Sequence, residues 1–139
     1  PATPHATGRL AGRRLLLVED DPAVRGLLAA LLRHLGATTF EAQDGQEAFE
    51  LLATGAGPAP DAVVCDVDMP RCGGPELVRR LGDHGIRLPV LLVSGWHGHR
   101  ALPVDARELA GVPVDFLQKP VSLEVLERHL VELLERVGA

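Results

Sequence analysis

A chain of 139 residues with 46% hydrophobic and 24% charged residues suits one globular domain with a single core. A formal charge of −5, with no basic run longer than Arg13-Arg14 or Arg79-Arg80, argues against nucleic acid as a direct partner. No apolar stretch approaches the roughly 20 residues that span a bilayer, and Cys65 and Cys72 read as free thiols of a reducing cytoplasm.

Residues 1–12 are rich in Pro, Ala, Thr and Gly without periodicity, and read as a flexible linker or arm ahead of a domain at 13–139. Leu15–Val18 is apolar on both faces, the pattern of a central parallel strand. Asp21 can cap a helix whose first residue is Pro22. Val24, Leu27, Leu28, Leu31, Leu32 and Leu35 fall on one face of that helix, and Gly36 stops it. Ala37–Ala42 reads as the second strand, Gln46–Ala53 as a helix, and Asp61–Asp66 as the third strand. A loop from Val67 to Gly74 leads to a helix from Pro75 to about Leu81. Leu88–Val93 is the fourth strand. Between it and the fifth, Val112–Leu117, only Asp105–Ala110 carries a helical pattern. Ser122 caps a final helix with Leu123, Leu126, Leu130, Leu133, Leu134 and Val137 on one side.

Five alternating strand and helix units predict an α/β fold with a parallel sheet, right-handed crossovers and helices on both faces. Sites in such folds form beyond the carboxyl ends of the strands. Polar groups stand at four of those ends: Glu19-Asp20-Asp21, Asp66, Ser94 and Lys119. In the order 2-1-3-4-5 the first and third strands are neighbours, so Glu19, Asp20 and Asp66 meet. Carboxylates so close call for a cation, and magnesium, a hard ion that takes oxygen ligands, is the natural one. The bland account of Glu19-Asp20-Asp21 is a helix-start cluster favoured by the macrodipole, and it fits Asp21 best. Lys119 is the only lysine among 14 basic residues. An Arg-rich composition explains why lysines are scarce but not why this one is kept. A compact, mobile ammonium there suits pairing with a phosphoryl oxygen. Asp66 as nucleophile, Lys119 and the Ser94 hydroxyl as oxygen partners, and a metal between acids together make a phosphoryl-transfer site.

These stretches, LLLVEDDP at 15–22, VVCDVDMP at 63–70, VLLVSG at 90–95 and FLQKP at 116–120, resemble the receiver domain of two-component response regulators. The resemblance covers about residues 13–137. It implies a three-layer, flavodoxin-like (βα)5 fold in a phosphorelay. Glu19, Asp20, Asp66 and the backbone carbonyl of Asp68 would hold Mg2+, and Asp66 would accept phosphate from a histidine. Ser94 and Phe116 would act as the switch, Lys119 would pair with the phosphate, and Pro120 would follow a cis bond. It also implies a histidine kinase or histidine phosphotransfer partner, a cytoplasmic location, and no contact of this domain with membrane or nucleic acid. The SG-aromatic and FLQKP wording is similar to receivers at the C-terminus of hybrid histidine kinases, and the arm to an interdomain tether.

The chain departs from the family pattern in three places. Phe116 has no hydroxyl, the span from Ser94 to Lys119 is long and contains Pro103, and Asp68 adds a charge beside Asp66. Asp66-Val67-Asp68 also has the form used by haloacid-dehalogenase-like phosphatases, but acids placed after the lysine, as that family needs, are missing from any strand end. An interaction module that never carries phosphate is the other alternative. His97, His99 and Cys72 read as solvated loop residues rather than metal ligands. Trp96 reads as a rim residue or part of a partner surface.

Overall fold

The computed structural model describes residues 8–95 and 108–138. The strands are β1 (Arg14–Val18), β2 (Thr38–Ala42), β3 (Ala62–Asp66), β4 (Val90–Ser94), β5 (Glu108–Leu109) and β6 (Val112–Gln118). The helices are α1 (Pro22–His34), α2 (Gly45–Thr54), α3 (Gly74–Asp83) and α4 (Leu123–Gly138). The sheet order is β2-β1-β3-β4-β6-β5. The first five of these strands are parallel, and β5 adds a short antiparallel edge.

Strand alternation sorts the core into two layers. Leu15, Leu17, Val64, Leu91, Val93 and Leu117 point to one face, against Leu28, Ala29 and Leu32 of α1 and Leu126, Leu130, Leu133 and Leu134 of α4. Leu16, Val63, Cys65, Leu92, Val112 and Val114 point to the other, against Ala48 and Phe49 of α2 and Leu77, Val78 and Leu81 of α3. A central strand is therefore apolar at every position, as in Leu15–Val18. Crossovers end in short caps: Asp21 accepts hydrogen bonds from the amides of Ala23 and Val24, Asp44 from Glu47, and Ser122 from Val125.

Three expectations are corrected. Residues 108–110 do not continue a helix. Glu108 and Leu109 form an antiparallel strand that turns at Ala110 (φ 54°) and Gly111 (φ 80°) into β6. Two consecutive positive φ values are the mark of a tight hairpin turn. Residues 105–107 lie outside the described residues, as do Trp96, His97 and His99. Second, the arm does not stay free through residue 12. Leu10 is wholly buried in the α1–α4 layer and its amide donates to the Leu35 carbonyl at 3.2 Å. Third, Leu27 does not share the buried face of α1. It is 62% exposed.

One close approach fixes the loop that follows β3. Cys72 takes a left-handed φ of 62°, and its carbonyl accepts from the Gly45 amide at 3.1 Å. A Cβ on Gly45 would lie 2.1 Å from that carbonyl oxygen, against backbone that cannot swing away. Gly45→Ala is expected to lower unfolding stability by about 2 kcal/mol or more, an overpacking cost read directly from urea denaturation.

Candidate functional site

The four polar outcrops converge. β1 and β3 lie side by side with Val18 opposite Cys65, so Glu19 and Asp66 leave the sheet together. Ligand oxygens of Glu19, Asp20 and Asp66 fall within 4.8 Å of one another. Glu19 is 2% exposed and Asp66 7%. The Lys119 ammonium reaches both, at 3.2 Å from Asp66 Oδ1 and 3.4 Å from Glu19 Oε1. Its backbone amide donates to the Ser94 carbonyl at 2.8 Å, which ties the lysine to the end of β4. Ser94 is buried, and the Lys119-Pro120 bond is cis, as the resemblance implies.

Burial pushes the Asp66 carboxyl up from its usual range, with Lys119 opposing and the charges of Asp20 and Asp68 adding to the rise. Glu19 is also raised, first by burial and then by Asp66, against the Asp21 amide, which donates to its Oε2 at 3.1 Å. Burial alone would lower Lys119, but Asp66 and Glu19 outweigh it and raise the lysine. One ammonium thus pairs with two carboxylates of a cluster of three. Hard oxygen donors, crowded and short of positive charge, suit a small divalent cation.

The sign of the pH effect follows. Asp66 and Glu19 bind protons more readily folded than unfolded, so their contribution to stability is greatest below the ordinary carboxylate range. It is lost as pH rises through their raised values. Thermal melts in chelator are expected to show this loss above pH 4 to 5, the ordinary carboxylate range, and Glu19→Gln is expected to flatten it.

Asp21 is spent on its helix cap and Asp68 is exposed just past β3. Phe116 is half-buried opposite Leu92, and alternation puts it on the same face as Ser94, toward α3. An open cleft of roughly 330 Å³ is lined by Val67, Asp68, Met69 and Pro70, the residues that follow Asp66 in the chain. A larger one of roughly 610 Å³, at Arg87, Glu108 and Pro113, lies at the amino ends of the strands, away from these groups.

Some supporting residues were not foreseen. Arg25 donates to the Glu19 carbonyl at 2.8 Å and pairs with Glu41 at 3.1 Å, bracing the turn that carries the acids. Asp115 and His129 pair at 2.7 Å across β6 and α4. Neither contact has a signature at short spacing, since each joins residues brought together only by the fold.

Residues 15–131 match the family model described as the response regulator receiver domain. The chain belongs to the response regulator receiver domain family. This receiver is 39% identical over 116 residues to the Regulator of RpoS of Escherichia coli K12, covering 84% of this chain and 33% of that protein. It is 40% identical over 126 residues to the response regulator MprA of Mycolicibacterium vanbaalenii, covering 88% of this chain and 51% of that one. The receiver thus spans about a third to a half of the curated relatives it matches. Among solved structures, it is similar to the receiver domain of the hybrid histidine kinase CckA (32% identity, TM-score 0.66, covering 87% of this chain and 98% of that one). It is also similar to the receiver of the sensor histidine kinase PA1611 from Pseudomonas aeruginosa PAO1 (27%, TM-score 0.70, 90% and 99%). The latter carries a magnesium ion in its active-site cleft. Among the described residues, no helix is long and apolar enough to cross a membrane.

Proposed function

We propose that this receiver is a magnesium-dependent phosphoacceptor, taking a phosphoryl group from a histidine of a kinase or phosphotransfer domain onto Asp66. The observation that carries the reading is the pairing of Asp66 Oδ1 with Lys119 at 3.2 Å inside a cluster of three acids. A carboxylate oxygen of Asp66 attacks phosphorus, the phosphorus–nitrogen bond of the donor breaks, and the electron pair leaves with the imidazole. Lys119 moves its pairing from Asp66 to a phosphoryl oxygen, and the Ser94 hydroxyl donates to another.

Glu19, Asp20, Asp66 and the Asp68 carbonyl would hold magnesium, which when bound supplies charge neutralisation to the phosphoryl oxygens. Phe116, on the Ser94 face, repacks as Ser94 moves, by shape alone. Asp68, whose charge already bears on Asp66, tunes metal affinity or phosphate lifetime. Its neighbours in this family include receivers of response regulators and of histidine kinases, and this reading takes the donor in either setting to be a cytoplasmic phosphohistidine. No direct role for nucleic acid or membrane is part of this reading.

Intact mass after incubation with acetyl phosphate tests it. One added phosphoryl group is expected with magnesium and none with chelator. An unchanged mass in both, from protein that melts cooperatively, would sink the reading. A generic phosphate ester turned over catalytically would favour the haloacid-dehalogenase-like alternative instead.

A further inference from the structure

Among the described residues, β5 pairs with the outer edge of β6 at Val112 and Pro113, and side chains meet that edge beyond them. Odd-numbered residues turn their backbone groups toward β4, as the Lys119 amide donating to Ser94 illustrates, so those of Val114 and Phe116 face outward. The Val114 carbonyl accepts from Arg136 Nη2 of α4 at 3.0 Å. The Phe116 amide donates to Asp115 Oδ1 at 2.8 Å, and Asp115 Oδ2 pairs with His129 Nδ1 of α4 at 2.7 Å.

An ionised carboxylate only accepts, which assigns the proton to Nδ1. One carboxylate therefore spans the backbone of the switch residue and helix α4. That helix is rigidly seated, because Leu126, Leu130 and Leu133 beside His129 are fully buried.

We propose that Asp115 and His129 are positioning residues: His129 pins the Asp115 carboxylate, which holds the Phe116 backbone to α4 and biases the switch toward its resting state. The bias rests on the phosphoacceptor reading. The clamp itself does not. Phe116 lacks a hydroxyl to anchor its ring, so the position of its backbone and the packing around the ring together set where it sits. Ser94, on β4, stands opposite Gln118, two residues beyond Phe116, and Lys119 is three along the chain, so a shift at Phe116 is felt by both groups that would meet the phosphate.

The test compares His129→Ala with His129→Asn, whose amide nitrogen occupies about the place of Nδ1. Two quantities are read: hydrogen exchange of the Phe116 amide by NMR, and affinity for beryllofluoride with magnesium. Exchange is expected to quicken about tenfold in His129→Ala, as for loss of one charge-assisted hydrogen bond. Beryllofluoride is expected to bind several-fold more tightly. His129→Asn is expected to restore both.

Exchange at Phe116 unchanged in His129→Ala, or His129→Asn behaving as His129→Ala, overturns the clamp. Altered exchange with unchanged beryllofluoride affinity overturns the bias on the switch. Wild-type protein that takes up no beryllofluoride refutes the phosphoacceptor reading and the switch bias with it, while the exchange comparison still decides the clamp.

Discussion

Asp66→Asn is expected to gain no mass from acetyl phosphate and magnesium under conditions that fully modify the wild type. The other acids at the site are otherwise engaged. Glu19 accepts from the Asp21 amide with one oxygen and from Lys119 with the other, and Asp21 caps α1. Asp68 is exposed past the strand end, and Asp20 sits at the exposed turn. Asp66 is buried at the strand end, faces the lysine through Oδ1, and is followed directly by Val67, Asp68, Met69 and Pro70, which line an open cleft.

The same substitution is expected to stabilise the metal-free protein at neutral pH. Burial of the Asp66 charge outweighs its attraction to Lys119, since the net effect is a raised carboxyl. A neutral amide of the same shape escapes that cost. Magnesium at a hundred times its dissociation constant is expected to stabilise wild type by about 2.7 kcal/mol, and Asp66→Asn by much less. Melting curves with chelator and with magnesium check both signs. A variant less stable than wild type in chelator would mean that the Lys119 pair, and not burial, dominates at Asp66.

The site was legible in the sequence because a parallel sheet converts strand ends into neighbours. Leu15–Val18, Val63–Cys65 and Val90–Val93 are apolar on both faces, so the first polar residue after each marks where the strand leaves the core. That rule finds Glu19, Asp66 and Ser94 without any contact being known. It fails where structure depends on distant partners. Leu10 reads as part of a polar arm until the Leu35 carbonyl and the α1–α4 layer give it a place. Leu27 shares the helical period of Leu28 and Leu31, yet it projects into solvent beside them.

The β5–β6 hairpin lacks the Asn-Gly or Asp-Gly pair that favours positive φ, and Ala110 takes that conformation in its stead. A contact made by a neighbouring helix supports it: a Cβ on Gly82 would sit 2.2 Å from the Ala110 carbonyl, so the turn is pressed against α3 where only glycine fits. Asp105–Ala110 carries a helical period locally, and tertiary packing overrides it at residues 108–110.

Lys119→Ala is expected to slow phosphoryl uptake about 100-fold, the usual cost of removing one preorganised group that meets developing charge. The lysine lies between two acids, 3.2 Å from one and 3.4 Å from the other, and its amide is fixed to Ser94. In the proposed reaction its ammonium would stand where phosphoryl oxygens arrive, and its three donors could shift from carboxylate to phosphate without moving the backbone. Lys119→Arg keeps the charge but replaces a compact ammonium with a wide planar fork. It is expected to remain about tenfold below wild type, because a single nitrogen meets both acids, at 3.4 Å from Glu19 and 3.2 Å from Asp66.

Stability separates the two substitutions. Lys119→Ala leaves Glu19 and Asp66 without their cation and is expected to cost the metal-free protein about 1–2 kcal/mol, less than a fully buried pair because the lysine is 30% exposed. Magnesium is expected to return most of that loss, and Lys119→Arg to show little of it. Rates from mass spectrometry at saturating magnesium, beside melts in chelator, distinguish a lysine that contacts the phosphoryl group from one that only balances charge at rest. An arginine variant that phosphorylates at the wild-type rate would assign Lys119 the second role.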